Sequence, residues 1–321
     1  MEKDARIYVA GHNGLVGSAL MRQLQEQGYW NLLIGSRRQG VDLRDSITAW
    51  KFFDDHRPDY VFLAAAKVGG IHANNVYPAE FIYDNLMIQS NVIENAKRIG
   101  VKKLMFLGSS CIYPKLCPQP IRESYLMTGP LEPTNSAYAT AKIAGMRMCQ
   151  AYAQQYGCEF ISVMPTNLYG QNDNYDLQNS HVLPALIRKF HEAKERQDPF
   201  VTCWGTGVAY REFLLSDDMA NACIYAMEHY HDVQEPLNIG TGVEVTISEL
   251  AHQIKDVVGY KGDIHWDTSK PDGTPRKLLD TSKLNQLGWY PKYSLAEGLK
   301  VTYNSFLREF NYGSAASTPV R

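Results

Sequence analysis

Tyr138 and Lys142 form the single Tyr-x-x-x-Lys of this 321-residue chain. A helix places residues i and i+4 on one face, so the ammonium can lie beside the phenol and favour its ionised form. That reading puts the phenol's pKa below its ordinary value of about 10 and makes it a workable proton donor to a carbonyl oxygen. Composition alone yields about one such pair by chance, so the surroundings must carry the assignment. Ser109 follows the apolar run 104–107 and is expected at a neighbouring strand end, where its hydroxyl can hydrogen-bond the same oxygen. Ser109, Tyr138 and Lys142 together suit carbonyl reduction, which needs a hydride donor.

Gly11, Gly14 and Gly17 spell G-x-x-G-x-x-G, with His12, Asn13, Leu15 and Val16 between them, directly after the strand-like Ile7–Ala10. Bare backbone at a strand-to-helix turn can approach a pyrophosphate lying on the helix N-terminus. An NAD site usually carries an acidic residue at the end of the second strand, and here that place reads Gly35-Ser36-Arg37-Arg38. Two guanidiniums suit a 2′-phosphate, so NADPH is favoured over NADH; two arginines also suit an ordinary solvated loop. Asp42 is placed to meet the adenine, and Ala64, Ala65 and Ala66 let a cofactor pass closely.

These residues need elements to hold them. Short apolar runs at Ile7–Ala10, 32–34, Tyr60–Leu63, 104–107, 160–163 and Leu237–Ile239 alternate with helical patterns, such as Val16, Leu20 and Leu24 at i, i+4 and i+8. That alternation predicts an α/β fold with a doubly wound parallel sheet of the Rossmann type. Gly28 reads as the glycine ending the first helix, Ser46 as the cap of the second, and 219–227 as a later apolar helix. The expected division is an NADP-binding domain of 1–170 with about 213–243, and a smaller interleaved α/β substrate-binding domain of about 171–212 with 244–311. Residues 312–321, small and polar, read as a flexible tail.

Composition narrows the class further. A formal net charge of −2 and 21% charged residues give no basic footprint for nucleic acid or for a membrane face. No apolar run approaches the roughly 18 residues that span a bilayer, and the N-terminus enters a strand without a signal-peptide core; a cytoplasmic location is the expectation. The six cysteines lack CxxC pairing and zinc-ligand spacing, so they read as reduced thiols, with no metal site expected.

Five segments are more specific than the generic reductase pattern: GHNGLVG at 11–17, AAAKVGGI at 64–71, LGSSCIYP at 107–114, MPTNLYG at 164–170 and KPDGTPRK at 270–277. They resemble the GDP-L-fucose synthase family of the extended short-chain dehydrogenase/reductases, and the likeness spans nearly the whole chain. The resemblance implies a GDP-linked 4-keto-6-deoxy sugar, GDP-4-keto-6-deoxy-D-mannose, epimerised at C3 and C5 and then reduced at C4 by NADPH. It assigns Cys111 and His181 the base and acid roles in epimerisation. Protons beside a ketone are acidic, and unperturbed thiol and imidazole pKa values of about 8.5 and 6.5 suit proton transfer near neutrality. Cys111 stands two residues past Ser109, a strand-like spacing that puts both on one side. A buried thiol and a satisfied structural histidine are the plainer readings of the same two residues.

The resemblance further implies cofactor contacts from Leu43, Pro165, Asn167, Leu168 and His181, and substrate contacts from Lys189, Trp204, Arg211 and Asp272. It implies a homodimer, because helical stretches near 81–96 and 137–156 are similar to those through which extended reductases pair. Which of Arg37 and Arg38 meets the phosphate stays open. Competing readings differ at identifiable residues. A dehydratase would carry Asp-Glu after the serine, where this chain has Ser110-Cys111-Ile112, and an NAD⁺-retaining epimerase would carry the acidic residue missing from 35–38. A non-catalytic NADPH sensor would have lost Tyr138 or Lys142.

Overall fold

The computed structural model describes residues 1–270 and 272–315. Along the chain, β1 (Ile7–Ala10) leads to α1 (Leu15–Glu26), β2 (Leu32–Leu33), α2 (Ser46–His56), β3 (Tyr60–Leu63), α3 (Ile71–Val76), α4 (Pro78–Ile99), β4 (Lys103–Leu107), α5 (Ser136–Tyr156), β5 (Phe160–Pro165) and β6 (Asn167–Tyr169). Then come α6 (Val182–Arg196), β7 (Phe200–Trp204), β8 (Tyr210–Leu215), α7 (Ser216–His229), β9 (Leu237–Ile239), β10 (Glu244–Thr246), α8 (Ile247–Val258), β11 (Asp263–Asp267), β12 (Arg276–Lys277), α9 (Ser282–Gln286) and α10 (Leu295–Ala315).

Six strands form one parallel sheet in the order β2-β1-β3-β4-β5-β9. Successive side chains of a strand point to opposite faces, and both faces of this sheet are covered by helices, which explains its continuous apolar runs. Ile7 and Val9 pack with Leu20 and Leu24 of α1 and Met219 of α7; Tyr8 and Ala10 pack with Phe52 and Phe53 of α2, Val92 of α4 and Met146 of α5. Each large side chain withdrawn from water in these layers contributes about 1.5–3 kcal/mol. The α/β doubly wound architecture expected from the alternation is the one observed. Its consequence for function is that the loops after β1, β3, β4 and β5 leave the same edge of the sheet, the crevice where such folds bind ligands.

A smaller set of elements flanks that edge. β8 pairs with β6, β10 and β12, and β7 pairs with β11. Helices α6, α8 and α10 bury Leu183, Phe190, Leu250, Ile254 and Leu299 against Phe213 of β8.

Four local details depart from the sequence reading. The cap of α2 is Asp45, not Ser46: Asp45 holds the extended backbone and its carboxylate accepts from Thr48 N at 2.7 Å, so Ser46 is already helical. Within 244–311, Leu279, Leu284 and Trp289 return to the cores against the six-stranded sheet. Residues 312–315, expected to open a flexible tail, are helical in backbone as the end of α10, and residues 316–321 lie outside the described residues, as does Pro271. Finally, Cys111 lies in a 3-10 turn at Ser110–Ile112 rather than in an extended strand. Gly28, in contrast, takes the left-handed φ of +82° expected beyond the end of α1. All six cysteines are free, and no helix of the described residues is long and apolar enough to cross a membrane.

Candidate active site

The glycine turn after β1 is dictated by close backbone packing. Gly11 has φ +89°, and a Cβ there would lie 2.7 Å from the backbone of Ala65; a Cβ on Gly17 would lie 2.0 Å from the carbonyl oxygen of Gly11. Gly14 meets no such obstacle, its imagined Cβ finding only the Gly11 carbonyl at 3.5 Å. It is the N-cap of α1, and neither a side-chain cap nor a first-turn acid occupies that terminus. The helix therefore presents unsatisfied N–H groups and a positive dipole end. His12 adds a buried Nδ1 without a hydrogen-bond partner. Arg37 and Arg38 form an exposed 3-10 turn soon after β2. These features fit an anionic dinucleotide. The Asp42 carboxylate, meanwhile, is taken by Arg44, at 3.0 Å to Nε and 2.7 Å to Nη2, which holds its pKa below the usual carboxylate value. Leu43 is buried beneath the turn, and the Asn167 amide donates to the Glu212 carbonyl at 2.8 Å.

Ser109 ends the loop from β4 and caps the short turn that carries Cys111, its Oγ accepting from Cys111 N at 3.2 Å. This turn, not strand alternation, brings the two side chains to one cleft. Tyr138 lies in the first turns of α5, and Lys142 one turn later is buried. Lys142 Nζ donates to the Leu107 carbonyl at 2.8 Å and sits 5.8 Å from the centre of the Tyr138 ring. Burial brings Lys142 down to about 8. Tyr138 departs from expectation: burial, then the nearby Cys111, push its pKa well up, and only a hydrogen bond with Ser109 opposes them. The phenol is thus held protonated, a donor rather than an ionised base.

Cys111 has the opposite setting. Burial pushes the thiol up, but the charge and hydrogen bond of Lys277, the hydrogen bond with Ser109 and the charge of Arg211 outweigh it and leave the pKa below the usual value. Lys277 Nζ and Asn135 Nδ2 each donate to Sγ at 3.4 Å. His181 is the N-cap residue of α6 and is solvent-exposed as a whole; desolvation of its ring by neighbouring groups and the charge of Lys277 lower its pKa. The arrangement offers a proton donor at Tyr138, a thiol disposed to ionise at Cys111 and an imidazole at His181 that feels the charge of the same Lys277.

Toward the outer cleft, Lys189 donates to the Thr202 carbonyl at 3.2 Å and lies 5.4 Å from the Trp204 ring, whose face is half exposed. Arg211 Nη2 donates to the backbone oxygen of Asp272 at 3.3 Å. The Asp272 carboxylate braces the turn after β7, accepting from Thr206 N at 2.7 Å and Thr206 Oγ1 at 2.8 Å.

Residues 7–240 match the NAD dependent epimerase/dehydratase family. The chain belongs to that family. Within it, the chain is similar to GDP-L-fucose synthase 1 of Arabidopsis thaliana, at 59% identity over 307 residues covering 96% of this chain and 94% of the relative. It is also similar to the GDP-L-fucose synthase of Escherichia coli K12, at 56% identity over 94% of this chain and 96% of that one. Among solved structures, a GDP-L-fucose synthetase from Naegleria fowleri bound to NADP superposes with a TM-score of 0.89 at 31% identity, covering 97% of this chain and 96% of the other.

Three residues that hold this family member's cleft in place are absent from the sequence reading of the site. Asn135 and Lys277 hold the thiol, and Lys277 lies 166 residues from it, so no local spacing links them. Glu212 is fully buried on β8 and accepts from Thr241 N, Gly242 N and Leu279 N at 2.6, 2.7 and 3.0 Å. Its neighbour Arg211 had been singled out, but an isolated glutamate in a strand gives no sign that three backbone groups converge on it.

Proposed function

We propose that this protein is a bifunctional epimerase-reductase that converts GDP-4-keto-6-deoxy-D-mannose to GDP-L-fucose, inverting C3 and C5 and then reducing C4 with NADPH. The observation that carries the reading is the cleft in which a Cys111 thiol drawn toward ionisation stands beside a Ser109, Tyr138 and Lys142 set, with Lys277 acting on both Cys111 and His181. A reductase alone needs only the second group. The NADPH, when bound, supplies the hydride; Gly11, Gly14 and the N-terminus of α1 hold its pyrophosphate, and Arg37 and Arg38 meet its 2′-phosphate. His12, Asn13, Leu15, Val16, Gly17, Asp42, Leu43, Ala64, Ala65, Ala66, Pro165, Asn167 and Leu168 line the same groove.

In this reading Cys111 takes the proton from the ring carbon beside the ketone, while Ser109 and Tyr138 donate to the oxygen that gains charge. His181 returns a proton to the opposite face. Tyr138 then protonates the C4 oxygen during reduction, with Lys142 one helical turn away, anchored on the Leu107 carbonyl. Lys189 and Arg211 meet the diphosphate, Trp204 offers an aromatic face to the base, and Asp272 shapes the turn beside them. The parallel-sheet body serves as the cofactor domain and the β8-centred body as the substrate domain. Pairing through α4 and α5, where Tyr83 and Tyr156 are exposed, supports a homodimer, and a cytoplasmic location fits a nucleotide-sugar substrate.

The test is direct. Purified protein is mixed with GDP-4-keto-6-deoxy-D-mannose and NADPH, and the product sugar is identified by NMR. GDP-L-fucose is expected; a reduced sugar with unchanged C3 and C5 would reject the epimerase half, and a lack of NADPH oxidation would reject the reductase half.

A further inference from the structure

We propose that Lys277, with Asn135 as a second donor, is a positioning residue that holds Cys111 as a thiolate, so that one cation sets which way protons move in the cleft. The proposal deepens, and rests on, the epimerising half of the function above.

The geometry is specific. Lys277 carries only donors, Asn135 presents its amide N–H, and both converge on the same sulfur at 3.4 Å. A sulfur that receives two donors is an acceptor, a role the anion fills far better than the neutral thiol. Among the described residues Lys277 forms no ion pair with a carboxylate, so no carboxylate among them neutralises its charge. Its backbone is clamped on both sides. Lys277 pairs with Arg211 in the β12–β8 register, Leu278 N donates to Gln119 Oε1 at 2.9 Å, and Leu279 N donates to the buried Glu212 at 3.0 Å. The ammonium is therefore delivered to the thiol from a fixed strand rather than from a free loop.

Around the sulfur also stand the Ser109 hydroxyl, the Tyr138 phenol, the Lys142 ammonium and the Arg211 guanidinium; Lys115, Glu132 and Arg276 line the same cavity, and Lys277 also acts on His181 and Cys117. A positive charge lowers the pKa of a thiol and of an imidazole alike. It thus favours the thiolate at Cys111 and the neutral ring at His181. The step is balanced: the thiolate takes the ring proton to become S–H, the C–H electron pair moves onto the carbonyl oxygen as an enolate, and imidazolium returns a proton to the other face. Solvent then restores both groups. Because thiolate and imidazolium must coexist, exchange of ring protons should follow a bell-shaped pH profile. Its optimum should lie to the acid side of the one expected from the ordinary imidazole and thiol values of about 6.5 and 8.5.

The experiment uses the full-length protein and the variants Lys277→Met, Lys277→Gln and Lys277→Arg. Alkylation by iodoacetamide is followed across pH and quantified on the Cys111 peptide by mass spectrometry. In parallel, deuterium uptake into GDP-4-keto-6-deoxy-D-mannose is followed in deuterated water. The inflexion for Cys111 should rise by about 1–2 pH units in the neutral variants, with alkylation and exchange at pH 7 falling roughly tenfold. Arginine should restore most of both, and the exchange optimum should move to higher pH with the inflexion. A merely structural lysine would lower rates without moving either pH value. Folded Met and Gln variants with unmoved inflexion and optimum would overturn the role of Lys277 while leaving the epimerase reading intact. No exchange in the wild type, with the inflexion still moved by Lys277→Met, would instead overturn the epimerase reading and leave only the ion pair.

Discussion

Cys111 and Tyr138 face one cleft, both half-buried, yet their proton affinities move in opposite directions. Burial raises the pKa of either acid, because each ionises to an anion. At Tyr138 that effect stands, and the neighbouring thiol adds to it. At Cys111 it is overcome by Lys277, Ser109 and Arg211. The lesson is that burial alone makes proton donors, and a cation in contact is needed to make a buried base. Lys142 does not supply one to the phenol, since its ammonium is spent on the Leu107 carbonyl. The two halves of the proposed chemistry thus divide along an electrostatic line within one cleft.

That comparison can be broken by removing either side. Tyr138→Phe should have the largest effect, lowering NADPH oxidation about 10³-fold by removing the donor to the C4 oxygen. Deuterium exchange beside the ketone should fall much less, and equal losses in both assays would show that the halves are not separable. Cys111→Ser should do the reverse, cutting exchange by about 10²-fold or more, because an alcohol is a poor base at neutral pH. Residual NADPH oxidation should then give a sugar with unchanged ring stereochemistry, identifiable by NMR.

The frame that brings the two sides together should show itself in stability. Glu212→Ala leaves the N–H groups of Thr241, Gly242 and Leu279 without their acceptor, at an expected cost of about 2–4 kcal/mol in urea unfolding. An unchanged midpoint would mean that those groups find other partners. Smallest is the effect of replacing Arg37 and Arg38 with alanine, which should reduce the preference for NADPH over NADH by about 1–3 kcal/mol. It is read from the ratio of kcat/KM values with the two cofactors. Equal wild-type efficiency with both cofactors would remove the reason to assign these arginines to the phosphate.

Much of this molecule is determined by short-range pattern. Ile7–Ala10 and Tyr60–Leu63 are strands because apolar side chains at every position suit a sheet covered on both faces. Gly11 and Gly17 mark the cofactor turn because no side chain fits where they pack. Tyr138 and Lys142 share a helix face through their spacing of four. What only the tertiary structure decided is the electrical character of those groups. The Cys111 thiol is set by Lys277, 166 residues away, and that lysine by a strand pinned to Glu212. The sign of the Tyr138 shift likewise depends on how deeply α5 is buried and where the Lys142 ammonium points. Hydrophobic period and backbone sterics are properties of neighbours along the chain and can be read there. The proton affinity of a buried group depends on distances of a few ångströms to charges remote in sequence, and those distances exist only once the chain has folded.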